Sequence, residues 1–128
     1  MKIASTIARY LLGFIFFVFG LNGFLHFIPQ PPLPPGPGAD FAAALFVSRY
    51  LVVVLLLEII PAVLLFTNRY VPLALVLLGP VIVNIFLFHA FMAPSGLPLA
   101  LVVIVLWLLV AHSIRSAFTG LFQHRVAA

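Results

Sequence analysis

Glu58 is the residue of this 128-residue chain whose type and position most strongly suggest chemistry. It lies in the middle of a long apolar run, where an ionised carboxylate is costly unless it has a partner, water or a proton. Pro61, three residues later, removes a helical hydrogen bond and frees the carbonyl of Leu57 as an acceptor for a protonated Glu58. We therefore expect Glu58 to face the interior of a helical bundle in its neutral form, either in a functional site or as a hydrogen bond between helices that fixes their packing.

Five further polar residues fall toward one end of the predicted helices: Asn22, His26, Arg49, Asn84 and His89. Asn22 and His26 are four positions apart and share a helix face, whereas Asn84 and His89 are separated by about 140° around their helix. With Glu58 beneath them, these residues are predicted to surround an outward-facing cavity. A quinone, with an apolar tail and carbonyls that accept hydrogen bonds, would suit such a cavity. The competing interpretation makes the same residues links between helices with no cavity among them.

Haem and metal binding are the other chemistry that two histidines on different helices suggest. No third ligand stands at a fixed helical spacing from His26 or His89, so neither cofactor is expected. The chain also has no cysteine, which excludes disulfides and a dithiol relay. Redox chemistry would therefore need a bound cofactor such as a quinone, or a partner protein.

A cation for Glu58 would have to come from another helix. Arg49 lies nine positions before Glu58, which places it on the opposite helix face. Arg9 is the candidate on depth, because its long side chain can reach inward, although it could equally be a positive anchor at the membrane surface. A stripe of small residues shares the face of Arg9 and is predicted to let another helix approach closely: Gly13, Gly20 and Gly23.

The elements that position these residues follow from composition. Apolar residues make up 66% of the chain and charged residues only 6%, whereas soluble domains carry about 25% charge. Four apolar runs have about 20 residues each, the length that crosses a hydrocarbon core of about 30 Å as a helix: 6–27, 45–66, 71–92 and 97–118. The sequence predicts an all-α integral membrane protein whose main surroundings are the lipid bilayer.

The connections between the runs predict the topology. A proline-rich loop over 28–44 separates the first two runs, and its six prolines from Pro29 to Pro37 favour an extended segment outside the membrane core. Short turns at 67–70 and 93–98 make consecutive helices antiparallel, so we expect one domain over 1–128, folded as an up-down-up-down four-helix bundle.

Charge distribution predicts the orientation and excludes one class of partner. The six Lys and Arg residues are scattered, so no nucleic-acid surface is expected. Five of them fall at one predicted membrane face and only Arg49 toward the other, which predicts a plasma (inner) membrane protein with both termini in the cytoplasm and the proline-rich loop outside.

The chain resembles the DoxX family of small four-helix membrane proteins over almost its whole length. The resemblance rests on Arg9 ahead of a glycine-bearing first span, on Glu58 in the second span, and on the segments NRYVPLAL (68–75) and VNIFLFH (83–89). In that family a Gly-Gly step usually follows the glutamate, whereas here Ile59 and Ile60 follow it.

The resemblance implies a link to quinone-coupled oxidation of sulfur compounds, or to membrane redox complexes. It suggests an accessory or quinone-binding subunit of a membrane oxidoreductase, with a membrane or peripheral redox partner and with self-association left open. Two other interpretations stay open: a membrane protein that handles small molecules or metals, and a purely structural partner protein.

Overall fold

The computed structural model describes residues 2–127, which contain five α-helices and no strand. The helices are α1 (Lys2–Leu25), α2 (Pro37–Val47), α3 (Tyr50–Thr67), α4 (Val71–Phe91) and α5 (Leu97–Ser113). A 3₁₀ turn at Pro94–Gly96 leads into α5, and a 3₁₀ segment at Arg115–Phe122 follows it. The predicted all-α fold is confirmed.

Four of the helices are long and apolar enough to cross a membrane: α1, α3, α4, and α5 together with the turn before it. They pack as a ring in which α1 contacts α3 and α5, while α4 completes the ring between α3 and α5. The core includes these large apolar side chains, all of them fully buried: Leu12, Phe16, Leu65, Leu75, Leu78 and Val110. Large apolar side chains also cover the outside of all four helices, as a multi-pass protein in lipid requires.

The two ends of the bundle differ. We call the end with the start of α1, the turn at 67–70 and the end of α5 the terminal face. The opposite end, with residues 26–36, α2 and the turn at 92–96, is the loop face.

Helix α1 packs most extensively against α3, along the predicted stripe of small residues. A Cβ added at Gly20 would stand 2.6 Å from Cγ1 of Ile59, and one added at Gly23 would overlap the side chain of Leu55. At Gly13 it would lie 3.3 Å from Cβ of Leu65. The glycines therefore allow a close approach of the two helices that a larger residue would oppose.

The second apolar run does not form one continuous helix. Part of the predicted loop over 28–44 folds as α2, and α3 begins only at Tyr50. The break falls at Ser48 and Arg49, where Arg49 adopts the left-handed conformation with φ of 65°. A non-glycine residue rarely adopts this conformation, and nothing in the surrounding apolar run signals it.

Helix α2 lies at the loop face. Pro37 occupies its first turn, where a missing amide proton costs nothing, and Gly36 before it has φ of 148°, which glycine readily adopts. Gly38 packs against Met92 at the end of α4. At the other end of α2, the Phe46 ring lies 6.4 Å from the ring of His26.

The fourth apolar run also ends earlier as a helix than its hydropathy predicts. Helix α5 stops at Ser113, and the residues up to Phe122 continue as 3₁₀ helix. The Ser113 hydroxyl donates to the Val110 carbonyl at 2.7 Å, a local bond that competes with the regular helical pattern.

Candidate functional site

Glu58 lies in the middle of α3 and is buried, with 9% of its surface exposed. It faces α1, because a Cβ at Gly20 would stand 3.5 Å from Cβ of Glu58. Within residues 2–127 the carboxyl group has no hydrogen-bond or ion-pair partner, and the carbonyl of Leu57 is not bonded to it. Every fully buried polar side-chain atom in residues 2–127 has a hydrogen-bond partner. Since the carboxyl oxygens of Glu58 have none, they are not fully buried and retain some accessible surface.

Arg9 does not approach Glu58. Its Nη1 donates to the carbonyl of Leu65, in the last turn of α3, and its guanidinium lies 4.5 Å from the centre of the Tyr10 ring. Leu65 is seven residues beyond Glu58, about 10 Å along the helix. The Leu65 carbonyl also accepts a long hydrogen bond from the Asn68 amide at 3.4 Å. A cation near the C-terminus of a helix adds a second bond to such a carbonyl and interacts favourably with the helix dipole. Arg9 therefore links α1 to the end of α3.

A cleft of about 440 Å³ opens at the loop face between the end of α1, the residues after it and the start of α3. We call it the loop-face cleft. Its polar lining residues are Asn22, His26 and Gln30, and its apolar walls include Phe19, Leu51 and Leu55. The cleft thus combines apolar walls with three polar side chains.

Local hydrogen bonds form one wall of this cleft. The His26 amide donates to the Asn22 carbonyl at 2.8 Å, and His26 then adopts φ of 53°, which ends α1. The Ile28 amide donates to Oδ1 of Asn22 at 2.7 Å, which folds the chain back over the helix end. Asn22 is buried, whereas the His26 ring is exposed.

The structure places the other three predicted polar residues outside the cleft. Asn84 is exposed on α4, and its Nδ2 donates to the Pro80 carbonyl of the same helix at 2.8 Å. The Nδ1 atom of His89 lies 3.0 Å from the Ala93 carbonyl oxygen, which ties the end of α4 to the next turn. Arg49 is exposed between α2 and α3. The predicted polar group is therefore divided, and only Asn22 and His26 share a site.

Gln30 is the cleft residue that the sequence pattern did not indicate. It is the one polar side chain among the closely spaced prolines from Pro29 to Pro35, a segment with no helical period to give it a direction. A single polar side chain in an otherwise apolar, proline-rich segment is the only sequence feature that could have indicated Gln30 as a binding residue.

Metal-type ligands do not cluster in the described part of the chain: residues 2–127 hold no group of three His, Asp or Glu side chains placed to share an ion.

Comparison with known proteins gives no match for this chain among protein-family models, curated proteins or solved structures.

Proposed function

We propose that the loop-face cleft binds a small apolar molecule with a polar, hydrogen-bonding head, of the quinone class. In this proposal the protein is an accessory, quinone-binding subunit of a membrane oxidoreductase, as the resemblance to the DoxX family implies. The observation that carries the proposal is the combination of polar side chains and apolar walls in one cleft at the loop face.

The lining residues offer donors that match the carbonyl oxygens of a quinone. Asn22 uses Oδ1 to accept from Ile28, which leaves its amide group without a partner within residues 2–127. Asn22 as a whole is buried, but it lines the cleft and its amide retains some accessible surface. Gln30 offers a second amide and His26 an imidazole, so up to three side chains can donate to the head of one ligand.

Glu58 supports the proposal through its depth. Leu55 forms part of the cleft wall, and Glu58 lies one helical turn further, about 4.5 Å along α3. Glu58 does not itself line the cleft, so a proton would pass between its carboxyl group and a ligand head group through an intervening water. Quinone reduction takes up protons together with electrons. The electrons would come from a partner protein.

The experiment is a binding titration of a short-tailed quinone analogue against the purified protein in detergent. Gln30→Ala removes an exposed amide, and His26→Gly removes the imidazole while keeping a residue that adopts positive φ without strain. Each variant loses one hydrogen bond, so we expect an affinity about threefold to tenfold weaker.

His112→Ala is the matched control, because His112 is an exposed histidine at the terminal face. Its affinity for the analogue should equal that of the wild type. Absence of binding to the wild type, or equal affinity in all the variants, would rule out the cleft as a quinone site.

A structural membrane partner protein is the second candidate function. It is favoured by a polar side chain that links two helices inside the bundle: Nε1 of Trp107 in α5 donates to the Leu75 carbonyl in α4 at 2.9 Å. A protein with this role would bind no quinone analogue.

The third interpretation, metal handling, has less support because the two histidines do not share a site: His26 lines the cleft, while His89 is engaged at the turn before α5.

A further inference from the structure

A second pocket, of about 190 Å³, lies at the terminal face where the start of α1 meets the ends of α3 and α5. We call it the terminal-face pocket. The lining residues that could bind a ligand are polar: Ser5, Thr6, Arg9, Asn68 and Ser113. The proposed quinone cleft does not involve this pocket, which lies at the opposite end of the bundle.

Arg9 gives the pocket a charged group with free donors. Nη1 donates one hydrogen bond to the Leu65 carbonyl, and within residues 2–127 the other guanidinium nitrogens have no hydrogen-bond partner. Since no fully buried polar side-chain atom in this part of the chain is unpaired, these nitrogens are accessible. A guanidinium presents its N–H groups as a planar fork that matches the oxygens of a phosphate.

Within residues 2–127 no carboxylate side chain pairs with this charge. The chain has only two acidic residues, Asp40 and Glu58. Asp40 is in α2 at the loop face, and Glu58 is about 10 Å along α3 from the carbonyl that Arg9 contacts. Three more basic residues lie near the ends of elements at the terminal face, outside the lining of the pocket: Lys2, Arg69 and Arg115. Arg9 therefore gives the pocket its positive charge, which favours an anion.

Two neutral side chains add donors beside the guanidinium. The hydroxyls of Ser5 and Ser113 donate to carbonyls of their own helices. The Thr6 hydroxyl and the Asn68 amide make no side-chain hydrogen bond within the described residues, so both can donate to a ligand in the pocket. A charged fork with neutral donors around it is an arrangement that binds phosphate oxygens.

We propose that the terminal-face pocket binds an anionic phosphate group, carried either by the headgroup of an acidic phospholipid or by free inorganic phosphate. The pocket lies at the end of the membrane-spanning helices, at the level where headgroups stand. Basic pockets between membrane helices commonly hold acidic headgroups at this level.

The test compares retention of phosphatidylglycerol and phosphatidylcholine by the detergent-purified protein, measured by native mass spectrometry. We expect the wild type to retain phosphatidylglycerol preferentially and Arg9→Gln to bind it about tenfold more weakly, because charge-assisted hydrogen bonds are lost. Arg115→Gln is the matched control: it removes the same charge from the same face, but Arg115 donates to the His112 carbonyl of its own chain end and does not line the pocket.

Ser113→Leu is the second variant, since Arg9→Gln also removes a bond that holds the end of α3. It fills the pocket while Arg9 stays in place, and it should weaken phosphatidylglycerol binding to a similar extent. Wild-type retention in Ser113→Leu, or an equal loss in Arg115→Gln, would overturn the proposal.

A competition experiment with inorganic phosphate distinguishes a phospholipid headgroup from free phosphate as the source of the bound group. Displacement of phosphatidylglycerol by millimolar phosphate would assign the pocket to free phosphate, and lack of displacement would assign it to the lipid headgroup. Either result supports a phosphate site, provided that the pocket variants lose binding.

Discussion

Replacing Gly20 by alanine tests the close contact between α1 and α3 that places Glu58 against α1. The added Cβ would stand 2.6 Å from Cγ1 of Ile59 and 3.4 Å from its Cδ1. Overpacking of this kind costs about 1–3 kcal/mol. Alanine is better than glycine in a helix by about 1 kcal/mol, so Gly20→Ala should lower the free energy of unfolding by a net amount of about 0–2 kcal/mol.

A second substitution isolates the contact from the helix-propensity term. Ile59→Ala removes the two atoms closest to the new Cβ and leaves only Cβ of Glu58, at an ordinary contact distance of 3.5 Å. It also costs stability of its own because part of the apolar packing is lost. In the double variant the added Cβ has room. The double variant should therefore be more stable than the sum of the two single effects predicts, by about 1–3 kcal/mol.

The assay is equilibrium unfolding of the wild type, the two single variants and the double variant in detergent micelles, followed by far-ultraviolet circular dichroism. Gly120→Ala is the control, because a Cβ there would meet nothing within 4 Å, and its effect should stay within about 0.5 kcal/mol. If the two single effects added to within about 0.5 kcal/mol, the described approach of α1 and α3 would be refuted.

Two further predictions concern Glu58 and the orientation of the chain. Glu58→Gln keeps a polar side chain of similar size and should leave the unfolding free energy in detergent nearly unchanged, whereas Glu58→Lys buries a cation among apolar neighbours and should cost about 3 kcal/mol; equal tolerance of both would contradict an interior position. Reporter fusions should place Gln123 in the cytoplasm and residues 31–38 outside, because five of the six basic residues fall on one side. A cytoplasmic signal from the proline-rich loop would reverse the topology.

The membrane helices follow closely from the sequence where strong local signals mark their ends. The run predicted over 71–92 forms α4 over Val71–Phe91, since Pro72 suits a first helical turn and the polar residues at 67–70 interrupt the apolar pattern. The division between α2 and α3 has no comparable signal. The left-handed backbone at Arg49 stands among local hydrogen bonds that hydropathy does not describe: the Tyr50 amide donates to Oγ of Ser48 at 3.2 Å, and the Val52 amide donates to the Arg49 carbonyl at 3.1 Å.

The cleft could be predicted only where its residues are neighbours in sequence. Asn22 and His26 share a helix face by spacing alone, and both line the cleft. For Asn84 and His89, the position in the sequence indicates only how far along α4 each residue lies. Because α4 is apolar on all sides, no hydrophobic face indicates the direction in which each polar side chain points.

Arg9 shows the limit of arguments from depth. A long arginine side chain can reach either a carbonyl or a carboxyl group, and in the structure Arg9 bonds to the Leu65 carbonyl in the last turn of α3 and not to Glu58. Deciding between them requires the register of α1 against α3, which the stripe of glycines suggests but does not fix.

The unequal lengths of the helices have a consequence for the membrane around the protein. With 18 residues α3 is about 27 Å long, whereas α1 with 24 residues is about 36 Å long. A hydrocarbon core of about 30 Å is thus slightly thicker than the length of α3 and thinner than the length of an upright α1. The bilayer can thin locally around the short helix, and the long helix can tilt. Helix α2 is apolar and precedes the start of α3, so it is the element that can extend the hydrophobic surface on the short side. A change in bilayer thickness would therefore act first on α2, whose Phe46 lies beside His26 at the cleft.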